Sequence, residues 1–241
     1  MISEVYENDF LVLVKYDLNK TLLLECRKLD EALIEIEEAI DFVQKAGFNS
    51  PLQELYSSKA FISLLMGDIE EVGRYLKLAD KIRSELKLVP VQLSSFYRSQ
   101  LEYDLYLFEE SQRHGNNLES SKSRKQAAKS LKMLLKTTQK VAQYRTESYK
   151  LKGVYYWLIN KQKKALKWWY KAIKEGEHLG ARLELARTYV EIGKRLLEPK
   201  SDYKIFNGIK AEEYQEMATE FFEEMNLKWD LKELSRTPIG G

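Results

Sequence analysis

Cysteine occurs once in the 241 residues, at Cys26, so no internal disulfide can form. A chain without disulfides suits a reducing compartment, and we expect a cytoplasmic protein. Histidine occurs twice, at His114 and His178. Glu175 and His178 have the i, i+3 spacing of half a di-iron site in a helical bundle, but such a site needs a second pair. Ser111 stands three residues before His114, so that pair is missing, and a zinc site would also lack ligands. There is no glycine-rich phosphate loop and no G-x-S-x-G turn. The carboxylates at Glu31, Glu35 and Glu38, and at Glu212, Glu216, Glu220 and Glu223, fall on single helix faces and read as solvated surface. No catalytic residue, metal or cofactor is expected, and the chain reads as a non-enzyme. The longest apolar run is far below the ~18 residues of a membrane span. The stretch MISEVYENDF is acidic and lacks the basic region of a signal peptide.

Proline (four) and glycine (eleven) are scarce and fall at breaks: Gly47 and Pro51, Gly67, Pro90, Gly115, Gly176 and Gly180, Pro199, Gly208. Between the breaks apolar residues recur at i, i+3, i+4 and i+7, the signature of amphipathic helices. The spacing predicts about ten helices, near 5–26, 29–46, 51–66, 69–87, 91–113, 121–142, 144–159, 162–177, 179–197 and 210–226, with a short tail helix near 230–235. No alternating strand is expected, and no Asn-Gly hairpin between alternating runs. The polar stretches 113–123 and 200–209 read as inserted loops, where mobility and proteolysis are expected.

Several helices carry a triplet at i, i+4, i+7: Ala32-Ile36-Ala39, Val72-Leu76-Ala79, Ala127-Leu131-Leu134 and Ala165-Trp169-Ala172. Seven residues are about two turns, so each triplet lies on one face. Ala60 and Gly153 stand twelve residues before Val72 and Ala165, whereas Lys20 takes that place before Ala32. With Tyr149, Gly153, Tyr156, Ala165, Trp169 and Ala172 in motif positions, residues 146–178 resemble the tetratricopeptide (TPR) repeat, here in a divergent form of about 40 residues. The resemblance implies an all-α fold, a right-handed α-α superhelix of about ten helices forming one domain over 1–241. Its repeats would span 10–47, 51–88, 91–142, 144–178 and 179–226, with a tail at 227–241. The closing FFEEMNLKWDL resembles the C-terminal TPR regions of bacterial signalling ATPases and nucleotide cyclases. What these resemblances imply is a protein-interaction or regulatory scaffold within a larger signalling chain. Peptide-clamping members of the family place lysine and asparagine in the groove. Here those positions hold Asp17, Thr21, Ser57, Phe61, Lys150 and Val154, and only Lys150 fits.

The stretch QKKALKWWYKAIKEGEHLGA places Trp168-Trp169-Tyr170 among lysines. At 100° per residue Trp168 and Trp169 share a face with Ala165, Ala172 and Gly176, so both are expected in the core rather than as an exposed stacking platform. The lysines fall on the opposite face. Charge is uneven along the chain. Residues 1–121 carry a net −9 and residues 175–241 a net −4, whereas 122–174 hold 16 basic residues and one acid, Glu147. Packing of the acidic flanks against this segment would neutralise part of it. The alternative is a docking surface for an acidic protein or peptide, including a second copy of the chain. Lys163, Lys164, Lys167, Lys171 and Lys174 on one helix are the candidate residues, beside Lys129, Lys132 and Lys136 in a row with Lys125 and Lys140 on another. RNA or a nucleotide is the alternative ligand of that segment, although a sequence pI near 8.3 is low for a dedicated nucleic-acid binder.

Overall fold

The structure, a computed structural model, describes residues 9–236. Residues 5–8 of the first expected helix and the tail beyond residue 236 lie outside the described residues. The chain divides into two compact units, Met1–Ser99 and Gln100–Gly241. Among the described residues it is of the all-α class, as expected, with helices packed in consecutive pairs and one short hairpin.

The first unit holds α1 (Asp9–Glu25), α2 (Leu29–Lys45), α3 (Ser50–Met66), α4 (Ile69–Glu85) and the beginning of α5 (Pro90–Arg113). The second holds the rest of α5, then α6 (Asn117–Thr138), a 3₁₀ turn at Ala142–Tyr144, α7 (Arg145–Leu158), α8 (Gln162–Leu179), α9 (Arg182–Leu197), α10 (Ala211–Glu224) and α11 (Lys228–Arg236). Pairs α1/α2, α3/α4, α7/α8 and α9/α10 make the main contacts.

The repeat is visible in the turns. Arg27, Gly67 and Asn160 have positive φ (54°, 82° and 55°), and each stands five residues before the small residue of a triplet. The next N–H then reaches back to the preceding helix: Lys28 to Leu23 O, Asp68 to Ser63 O and Lys161 to Tyr156 O, at 2.8–2.9 Å. This bond satisfies a carbonyl left open at the helix end and reverses the chain. Every triplet residue is buried, none more than 6% exposed, because each faces the neighbouring helix.

Lys20, which replaces the small residue in the first repeat, is also buried. Its Nζ lies 2.8 Å from Asp17 Oδ1 and 2.8 Å from Glu54 Oε1. Burial disfavours its charge, but the two carboxylates outweigh that cost and raise its pKa.

Two expectations are corrected. The polar insertion after α5 is largely helical, because Asn116 caps α6 by accepting from Glu119 N–H at 3.1 Å while donating to the Glu119 carboxylate. The stretch expected to be an open loop at 200–209 contains a β-hairpin, β1 (Ile205–Phe206) with β2 (Ile209–Lys210), paired Ile205↔Lys210 and Phe206↔Ile209. Asn207 (φ 52°) and Gly208 (φ 80°) make the turn, and both have the left-handed conformation that favours these residue types. The flanking runs were too short to show alternation. Tertiary bonds tie the segment down: Tyr214 O–H donates to Phe206 O at 3.1 Å, and buried Gln162 bonds Lys200 O and Asp202 N–H, both at 2.8 Å.

Candidate functional site

Helices α7 and α8 form the most closely packed part of the second unit. Gly153 on α7 lies under the indole of Trp169 on α8. Trp169 is fully buried, packs 5.5 Å from the Trp157 ring, and donates Nε1–H to Lys150 O at 3.2 Å. The core assignment holds for this residue.

Trp168 departs from the expectation. It is half-buried beside Tyr149, ring to ring 5.5 Å, and two ammonium groups lie against its indole. Lys152 Nζ is 3.5 Å and Lys171 Nζ 4.4 Å from the ring centroid. Burial, and then the Lys171 charge, push the Lys152 pKa down. The indole face supplies the attraction that a carboxylate supplies elsewhere. Rings lie near two other lysines of the helix: Lys164 Nζ is 5.7 Å from the Tyr156 ring, and Lys174 Nζ, which also pairs with Glu177, is 5.8 Å from that of Tyr170, which is 46% exposed.

All five lysines of the α8 row, Lys163, Lys164, Lys167, Lys171 and Lys174, are exposed. So are Lys125, Lys129, Lys132, Lys136 and Lys140 in and just after α6. Both helices pack against α7. Acidic flanks neutralise part of the segment: Arg145 pairs with Glu175 at 3.1 Å, Lys150 with Glu184 at 2.9 Å and Lys174 with Glu177 at 2.8 Å. Among the described residues Lys132, Lys136, Lys163, Lys164, Lys167 and Lys171 make no ion pair. Elsewhere exposed bases find acids one helical turn away, as in Lys28–Glu31, Lys45–Asp41 and Arg113–Glu110. Most i±3 and i±4 positions of these lysines hold lysine, core or neutral residues, and the one carboxylate in reach, Glu175 four residues after Lys171, pairs with Arg145 instead.

Other candidates are used internally. Lys150, the one match to a peptide clamp, is held by Glu184; burial disfavours its charge, but Glu184 and its acidic neighbours raise its pKa. Glu175 faces Arg145, and no three His, Cys, Asp or Glu side chains gather as a metal site among the described residues. No described helix is long and apolar enough to cross a membrane.

Two buried polar clusters were not legible in the sequence. Arg195, 2% exposed, is bound by Glu109, Glu191 and Glu198, each at 2.6 Å, and Glu198 also accepts from Trp157 Nε1–H at 2.8 Å. Asp104 on α5 accepts from Ser130 O–H at 2.5 Å and from Gln100 at 2.9 Å, and burial pushes its pKa up to about 6. The first cluster joins α9 to α5, 86 residues away, and the second joins α5 to the following helix α6. No protein-family model matches the chain, and no curated protein matches it.

Proposed function

We propose that the chain is a protein-interaction module that docks an acidic polypeptide on the exposed lysines of α8 and α6. On this reading it is the tetratricopeptide-type regulatory region of a larger bacterial signalling protein, such as a cyclase or ATPase, working in the cytoplasm. The observation that carries the reading is the pair Lys152 and Lys171, two ammonium groups at one indole with no carboxylate between them. A partner carboxylate placed there relieves their repulsion, and the surrounding unpaired lysines raise the encounter rate.

The test uses labelled poly-glutamate as the acidic probe, with fluorescence anisotropy at low and high salt. Binding is expected to weaken steeply over a rise to roughly 0.3 M salt, as the Debye length shrinks below 10 Å. The variant Lys164→Glu/Lys167→Glu/Lys171→Glu should keep the fold and lose the binding. Unchanged binding in that variant overturns the proposal. A second reading, single-stranded RNA, is favoured by the exposed Tyr170 ring beside Lys174, which offers a base a stacking surface. Oligonucleotide binding that outcompetes poly-glutamate and falls in Tyr170→Ala would select it.

A further inference from the structure

Helix α1 has two apolar faces, and only one is covered among the described residues. Leu24 packs into the core with α2 and α3. On the other side Leu11, Val14, Leu18 and Leu22 are 61%, 38%, 64% and 64% exposed, and Phe10 at the edge is 65% exposed. At 100° per residue the first four fall within an arc of about 80°, a continuous stripe along the helix. A solvated helix face would be polar there. Between Leu11 and Leu22 that arc holds no charged residue; Lys15 borders it, and Glu25 enters it only at the last residue of the helix.

The repeat shows what such a face receives. Forty residues on, Ser58 and Ile62 of α3 stand where Leu18 and Leu22 stand on α1. They are 3% and 0% exposed, and Ile62 is packed in the cluster that includes α2. Among the described residues the α1 stripe is therefore a helix-packing face with no helix on it.

We propose that this face joins two copies of the chain, with α1 of one packed antiparallel on α1 of the other about a two-fold axis. The positions of the stripe are self-complementary. When Leu11 lies opposite Leu22 of the second copy, Val14 lies opposite Leu18 within a single residue of register. Each contact then occurs twice, as a two-fold interface requires. At their observed exposures the five side chains present on the order of 500 Å² per copy, so pairing buries at most roughly 1,000 Å², the lower bound of a stable interface. This contact is apolar and independent of the lysine surface. Salt leaves it intact, whereas association through the lysines weakens with salt.

The test is the molar mass of the chain in solution by light scattering and sedimentation, at about 50 µM and at both ~0.05 M and ~0.5 M salt. The expected result is about twice the 28.3 kDa of one chain at both salt concentrations. Leu18→Asp/Leu22→Asp should halve the mass with an unchanged helical circular-dichroism spectrum, because both side chains are exposed. Lys164→Glu/Lys167→Glu/Lys171→Glu should leave it doubled, which separates this contact from the lysine surface. In a Cys26→Ser background, Leu11→Cys/Leu22→Cys should form an interchain disulfide under mild oxidation, and neither single cysteine should. A monomer at every concentration, or a dimer that survives Leu18→Asp/Leu22→Asp, overturns the proposal. Crosslinking by Leu22→Cys alone overturns the antiparallel arrangement.

Discussion

Gly153 provides the space that the indole of Trp169 fills. A methyl group at Gly153 would lie 2.8 Å from Trp169 Cε2, with Nε1 and Cδ1 nearer still. Those ring atoms are held, because Nε1–H bonds Lys150 O and the ring packs on Trp157. Gly153→Ala should therefore destabilise the chain by about 1–3 kcal/mol through overpacking, although alanine is the better helix former. Trp169→Ala should cost about 3–5 kcal/mol. In urea unfolding the double variant should lose less than the sum, since the added methyl enters the cavity left by the indole. A strictly additive pair would show that the two residues do not share this space.

Asp104 should make the chain less stable at neutral than at mildly acidic pH. Its pKa in the folded state is about 6, above its ordinary 3.8, so between those values the folded chain binds a proton that the unfolded chain has lost. Stability from this group falls as pH rises through that window, and its cost is fully present at pH 7. Asp104→Asn removes the buried charge, keeps an acceptor for Ser130 O–H, and turns an N–H toward Gln100, whose amide can rotate to accept it. It should raise stability at pH 7 by roughly 2 kcal/mol and flatten the dependence between pH 4 and 6. Thermal melts at pH 5 and pH 7 compare the two proteins directly.

Arg195→Met should be severely destabilising, by about 3–5 kcal/mol, because three carboxylates would face one another without their cation. Burial opposes the charge of Glu109, yet the hydrogen bonds and charge of Arg195 outweigh it and hold that carboxyl below its usual range. Adding Glu109→Gln and Glu198→Gln to Arg195→Met should recover part of the loss in denaturant unfolding. No recovery would place the cost in lost packing of the arginine stem instead.

The hairpin at 205–210 should resist trypsin despite Lys200, Lys204 and Lys210 nearby, because Gln162 and Tyr214 fix its backbone. Gly208→Val forces a β-branched residue into φ 80°, at a cost of roughly 1–2 kcal/mol. Cleavage within 200–210 should then become detectable by mass spectrometry. Rapid cleavage of the wild-type chain there would restore the open-loop reading.

The helices, the buried triplets and the exposed lysine rows were all legible in the sequence, because each follows from the 3.6-residue period. That period averages over several turns, so one misplaced residue does not alter the face. Placing Ala165, Trp169 and Ala172 inside and Lys163, Lys167 and Lys171 outside needed no knowledge of any other helix. Tertiary structure alone decided the rest. Trp168 and Trp169 differ by one 100° step, and what separates them is the position of α7, which offers Gly153 to one ring and Lys152 to the other. Lys20 is tolerated in a small-residue site because Glu54, 34 residues on, joins Asp17 at its ammonium. Arg27 and Asn160 adopt the turn that Gly67 adopts with less strain, since the packed helices on either side hold them there. Local periodicity fixes which way a side chain points. Whether it meets a ring, a carboxylate or water depends on distances between helices, and those are set only when the whole unit packs.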